Sequence, residues 1–134
     1  MTNRATGTFD VKLLPQAPDG YDGGGTLGRM TIDKLFQGDI EGTSKGQMLT
    51  AMCGVKGSAG YVAVERVTGT VHGKRGSFAL LHRGLMDRGA PSLDVVVVPD
   101  SGTDELVGIS GTFNIIIEGK LHSYELDYDI TAAT

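Results

Sequence analysis

The sequence predicts an all-β fold, an eight-stranded antiparallel up-and-down barrel, and three observations carry that prediction. Apolar residues recur with period two almost everywhere and with period 3.6 almost nowhere. Turn-forming residues separate these runs at QGD, CGVKGS, HGKRG, DRGAP, PDSGTDE and EGK. Eight antiparallel strands without a credible helix are best served by closure, which leaves no exposed edge. A two-sheet sandwich is the alternative.

The elements follow in order. Phe9, Val11 and Leu13 alternate with Thr8, Asp10 and Lys12. Met30, Ile32, Lys34 and Phe36 alternate with Arg29, Thr31, Asp33 and Leu35. A third strand runs from about Ile40 to Cys53, where Gly42 and Gly46 suggest bends or bulges. Tyr61 to Val71 and Ser77 to Met86 form a hairpin. Leu93 to Val98 is nearly all β-branched, which suits a strand covered on both faces. Leu106 to Ile117 and His122 to Ile130 complete the set. The one long connection, PQAPDGYDGGG from Pro15 to Gly25, is glycine-rich and predicts a mobile loop.

Composition narrows the classes of function. The 134 residues, 1–134, suffice for a single domain with a proper core. A 40% hydrophobic and 21% charged composition excludes disorder. A net charge of −4 with no Lys/Arg run gives no footprint for nucleic acid. The first residues, MTNRATGTFDVKL, lack the apolar stretch of a signal peptide, and no apolar run is long enough to span a membrane. The single cysteine, Cys53, forbids an internal disulfide and fits a reducing cytoplasm.

Side-chain direction follows from the central hairpin. If the turn after Val71 has two or four loop residues, paired positions sum to an odd number such as 147 or 149. Tyr61, Ala63, Glu65, Val67 and Val71 then share a face with Phe78, Leu80, His82 and Met86. That apolar face is the inside, so Glu65 and His82 point into the barrel. The same parity at Gly119-Lys120 groups Phe113, Ile115 and Ile117 with Tyr124, Leu126 and Tyr128. In an up-and-down barrel alternate turns share a rim, which gathers the Pro15–Gly25 loop with the turns near Val55, Gly89 and Gly119. Tyr61, Glu65, His82, Met86, Cys53 and Arg29 lie toward this rim, as in a lidded pocket.

The stretches GRMTIDKLFQGDIEG, GSAGYVAVERVTGTVHGKRGSFALLHRG and VVVVPDSGTDELVGISGTF resemble a bacterial family of uncharacterised domains over nearly the whole chain. That family is similar in turn to the allene oxide cyclase barrels of plants, through LFQGD and VAVERVTGTVHGKRGSFALL. The resemblance implies an eight-stranded calycin-like barrel and carries no catalytic residue with it. The plant enzymes steer ring closure of an unsaturated epoxide in an apolar cavity without a cofactor. Their first strand bears a glutamate where this chain reads Lys12 and Leu13.

Each candidate residue has a structural and a chemical reading. Glu65 and His82 either satisfy each other in the core or form a catalytic acid–base pair, with the sign of the carboxyl shift open. Cys53 is a nucleophile or small buried packing. Tyr61, Tyr124 and Tyr128 either orient a ligand or form wall, and Met30, Met48, Met52 and Met86 line a cavity or fill gaps. Phe78 and Leu80 complete the candidate ligand wall. Lys34 is read as a cross-strand partner of Glu41.

No cofactor is expected. Gly23 to Gly28 matches a dinucleotide pattern formally but precedes a strand rather than a helix. His72 faces outward, one cysteine builds no zinc cage, and His122 leaves only a two-histidine site open, so no metal is expected. Three classes of function remain: a barrel binding a small hydrophobic ligand, ranked first; a cofactor-free isomerase or cyclase; and a structural barrel with a filled lumen. Outward Val62, Val64 and Leu81, interleaved with Arg66 and Arg83, add the expectation of a homo-oligomer.

Overall fold

Period-two alternation gives each strand one apolar face, and eight such faces turn inward around a common axis. A computed structural model, which describes residues 2–16 and 26–131, shows this arrangement. Strands β1 (Asn3–Gln16), β2 (Thr26–Gly38), β3 (Ile40–Met52), β4 (Ala59–Val71), β5 (Lys74–Asp87), β6 (Ala90–Val97), β7 (Ile109–Glu118) and β8 (Leu121–Ile130) close in chain order, with β8 antiparallel to β1. The fold is therefore the barrel and not the sandwich. The predicted mobile loop falls, from residue 17 to 25, outside the described residues, and Pro15 and Gln16 belong to β1. No described helix is long and apolar enough to cross a membrane.

The central hairpin turns at His72-Gly73, both with positive φ (47° and 80°), the geometry whose twist matches that of its strands. Its register, Val71↔Lys74, is tighter than the sums of 147 or 149 but keeps their parity, so the inner and outer faces are as expected. Two elements differ from the sequence reading. Residues Asp104–Leu106 form a 3-10 turn rather than the start of β7. The loop folds tightly at Gly102, where a Cβ would lie 1.9 Å from the Leu106 carbonyl oxygen, and drops Leu106 into the barrel as a plug. In β6, Val95 and Val97 are buried while Asp94 and Val96 on the opposite face are exposed, so among the described residues the strand is covered on one face only.

The lumen is filled at one end. Phe9, Phe36, Phe78, Phe113 and Tyr124 pack there with Ile40, Val67, Val71 and Leu126. The Tyr124 hydroxyl accepts from Ile40 N at 2.8 Å and donates to Gln37 O at 3.0 Å, stitching β8 to the β2–β3 turn. Gly7 lets this ring approach, since a Cβ there would sit 2.5 Å from the Tyr124 oxygen. Toward the other end the inward positions open up: Leu13, Ile117, Met86 and Leu93 are all exposed.

One border is different from the rest. Strand β6 meets β7 at a single paired position, Val96↔Thr112, whereas each other border is laced by a run of paired residues.

Candidate functional site

Register rows across β3 to β6 place the site. Met52, Ala59, Met86 and Pro91 rim the mouth, and Thr50, Tyr61, Gly84 and Leu93 form the row beneath. Met48, Ala63, His82 and Val95 come next, followed by Gly46, Glu65, Leu80 and Val97. The upper two rows, with Met48, enclose a cup of about 410 Å³. Tyr61 lies flat across its strand partner Gly84, where a Cβ would meet the ring at 2.2 Å, so only glycine leaves it that room. Its ring centroid is 6.4 Å from that of His82 below.

Under the cup sits a buried polar cluster. Glu65 and His82 are 1% and 3% exposed, and Lys34 is 7% exposed. Glu65 Oε2 accepts from Lys34 Nζ at 2.8 Å and lies 2.7 Å from His82 Nε2, while Oε1 accepts from Ser44 Oγ at 2.8 Å. Lys34 Nζ also stands 4.9 Å from the Phe9 ring centroid, a cation–π contact. Gly46 stands between β2 and Glu65; a Cβ there would lie 2.7 Å from Glu65 Cβ and 2.2 Å from Val64 O, so its absence lets Lys34 reach over β3. Burial pushes the Glu65 carboxyl up, but the His82 hydrogen bond and the charge and hydrogen bond of Lys34 outweigh it and bring it from 4.5 to about 2. The sign left open by the sequence is therefore downward. Such a carboxylate accepts hydrogen bonds and releases no proton near neutral pH.

Lys34 corrects one sequence expectation. The β2–β3 register pairs Lys34 with Ser44, and Glu41 faces outward opposite Thr70, so Lys34 bonds Glu65 instead. Of the candidate ligand wall, Tyr61 and Met86 line the cup, and half-buried Met30 faces Met48 across the β2–β3 border. Phe78, Leu80, Tyr124 and Tyr128 do not line it. They belong to the packed end, where the Tyr124 hydroxyl serves the backbone and the Tyr128 hydroxyl pairs with His72 Nδ1. Cys53 is exposed just past the end of β3, neither buried packing nor cup lining. Burial raises the Tyr61 phenol, with the Glu65 charge adding to it, so Tyr61 stays a neutral hydroxyl. His122 packs its ring 5.3 Å from Phe9, and among the described residues no three His, Cys, Asp or Glu side chains converge as a metal site.

Met48 and Met52, read as cavity-lining or gap-filling methionines, do line the cup; Thr50, Gly84 and Leu93, and Ser44 beneath, are site residues that the sequence reading did not gather. Extending the hairpin parity into neighbouring strands would have found their faces.

A second hollow, about 570 Å³, lies outside the same wall, between Leu27, Leu49, Val62 and Leu85 with Arg29 and Arg83. It is larger than the cup but backs onto no buried polar group.

The class these features define is a closed eight-stranded antiparallel β-barrel, filled at one end and, among the described residues, open at the other above a buried Lys–Glu–His–Ser cluster. Residues 5–128 match the family described as "Protein of unknown function (DUF3224)", and the chain belongs to that family. It is similar to the crystal structure of a DUF3224 protein of unknown function from Shewanella oneidensis MR-1, at 48% identity and a TM-score of 0.94. The match covers 99% of this chain and 100% of that one. No curated protein matches the chain.

Proposed function

We propose that this protein is a small-molecule-binding barrel, calycin-like in use, that holds a hydrophobic ligand in the cup above His82. The observation that carries the reading is the cup itself, about 410 Å³ and lined mainly by Met48, Met52, Tyr61, Met86, Pro91 and Leu93. That volume falls within the roughly 300–1,000 Å³ of ordinary ligand clefts. The apolar lining supplies affinity, and the buried cluster below supplies a rigid floor. The Glu65 carboxyl, brought down to about 2, is no proton donor near neutral pH, which favours binding over acid catalysis at this residue. A cytoplasmic setting suits the single exposed thiol of Cys53.

The test is fluorescence titration with naphthalene, backed by native mass spectrometry of protein purified from its own cell extract. Thr50→Phe places a ring in the middle of the cup without touching the cluster. Wild type is expected to bind and Thr50→Phe to bind at least about tenfold more weakly, since filling the site removes its apolar contacts. Equal binding by the two proteins would refute the cup as the site.

The outer face supports a second copy of this chain as partner. Exposed Leu49, Val62, Val64, Leu81, Leu85 and Val96 form neighbouring rows over β3 to β6, larger than the scattered apolar residues of a monomer surface. Sedimentation is expected to show a homo-oligomer that Val62→Lys dissociates; a wild-type monomer at high concentration would remove this reading.

A further inference from the structure

The chemistry of the cup lining narrows what the cup can hold. Among the described residues no lining side chain carries a charge, and the polar ones are Thr50, Tyr61 and Ser92, all hydroxyls. An ion entering the cup would lose its water and meet no counter-charge, which is costly. An anion is disfavoured further. Burial, and then the Glu65 charge, hold the Tyr61 phenol above its ordinary value, and that charge would repel an anion set beside the phenol.

The apolar part of the lining is built on sulfur. Met52 and Met86 share a register row with Ala59 between them. Tyr61 stands beside Gly84 in the next row, and Met48 follows in the row below that. Thioethers therefore stand above and below the level of Tyr61, on the strands to either side of β4. A leucine lining would bury saturated and aromatic guests alike. A thioether adds a polarisable sulfur that gains at the edge of an aromatic ring, and the Tyr61 ring adds a surface for stacking.

Resting on the reading of the cup as a binding site, we infer that its ligand is an uncharged aromatic molecule, laid against Tyr61 with its ring edge among the Met48, Met52 and Met86 thioethers. Aromatic and saturated guests of one shape bury similar apolar area. The preference between them therefore measures the thioethers and Tyr61 rather than the hollow itself. The uncharged lining sets a second preference, for the neutral over the ionised form of the same ring.

The matched probes are 2-naphthamide, its saturated counterpart decalin-2-carboxamide, and the anion 2-naphthoate. Each is titrated calorimetrically into wild type and into Met48→Leu/Met86→Leu, whose fold is checked by thermal melting. Leucine keeps the volume of methionine and removes the sulfur. Wild type is expected to bind 2-naphthamide about fivefold more tightly than the saturated amide, and at least about tenfold more tightly than 2-naphthoate. In the variant the first ratio is expected to fall toward one. A wild-type ratio of one, or a ratio unchanged in the folded variant, would overturn the aromatic inference and leave the cup standing. Equal affinity for 2-naphthoate would overturn the preference for a neutral ligand. Binding of none of the three by wild type would overturn both readings. Protein of unaltered sequence with 13C-labelled methionine methyls gives a measure independent of any variant. The Met48 and Met86 methyl resonances are expected to move several-fold farther with 2-naphthamide than with the saturated amide, which has no ring current. Methyls left in place by bound 2-naphthamide would overturn the placement of its ring.

Discussion

The two ends of this barrel are built from the same strands with the same inward–outward alternation, yet one is solid and the other is a cup. At the solid end the inward positions carry Phe9, Phe36, Phe113 and Tyr124, rings that meet in tilted, edge-on and stacked contacts, with Phe78 in the same core. At the cup end they carry Thr50, Ala59, Gly84 and long, pliant methionines, which do not meet. Eight strands enclose a lumen that side chains can just fill, so ring size alone decides between core and cavity. The Lys34–Ser44–Glu65–His82 cluster lies at the boundary. The close packing lies at one end, and the other is left hollow.

The sharpest break of that comparison is at the solid end. Phe36→Ala is expected to cost about 3–5 kcal/mol in urea unfolding, because neighbouring rings cannot collapse into the void. Next comes the boundary. Lys34→Ala leaves Glu65 buried without its counter-charge and is expected to cost roughly 3–5 kcal/mol, whereas an exposed pair such as Lys45–Asp33 contributes little.

The pH dependence is of similar origin. The Glu65 carboxyl is depressed on folding from 4.5 to about 2, so its stabilisation is complete above the unfolded value and is lost as pH falls through that interval. Wild type is expected to lose on the order of 3 kcal/mol between about pH 5 and pH 2 on this account. Glu65→Gln should flatten that part of the acid profile, as followed by chemical denaturation at each pH. The smallest effect belongs to the rim, where Met86→Ala is expected to cost less than about 1 kcal/mol. A cost equal to that of Phe36→Ala would mean that the two ends are not distinct.

Much of this was legible in the sequence, and the omissions have physical reasons. Parity across the His72-Gly73 turn placed Glu65 and His82 inside because a two-residue hairpin fixes its register locally. The Lys34 partnership was not legible in that way. The β2–β3 connection passes through Gly38 at a φ of 106° and pairs even positions with even, turning Lys34 inward and Glu41 outward. Parity also reports a face and not a depth. Phe78, Leu80, Tyr124 and Tyr128 have the right face for a ligand wall, but they lie at the end where rings from five strands converge. The plug at Leu106 escaped because its run of apolar residues reads as strand, while Gly102 and Gly108 fold the chain back first.

The solitary Val96↔Thr112 pairing has a mechanical consequence. A cylinder laced on seven borders and pinned at one point on the eighth is a curled ribbon held by a single stitch. Strain introduced anywhere in the wall collects at that stitch, where the fewest backbone hydrogen bonds resist it. The wall therefore parts most readily along the β6–β7 border, without unlacing any other.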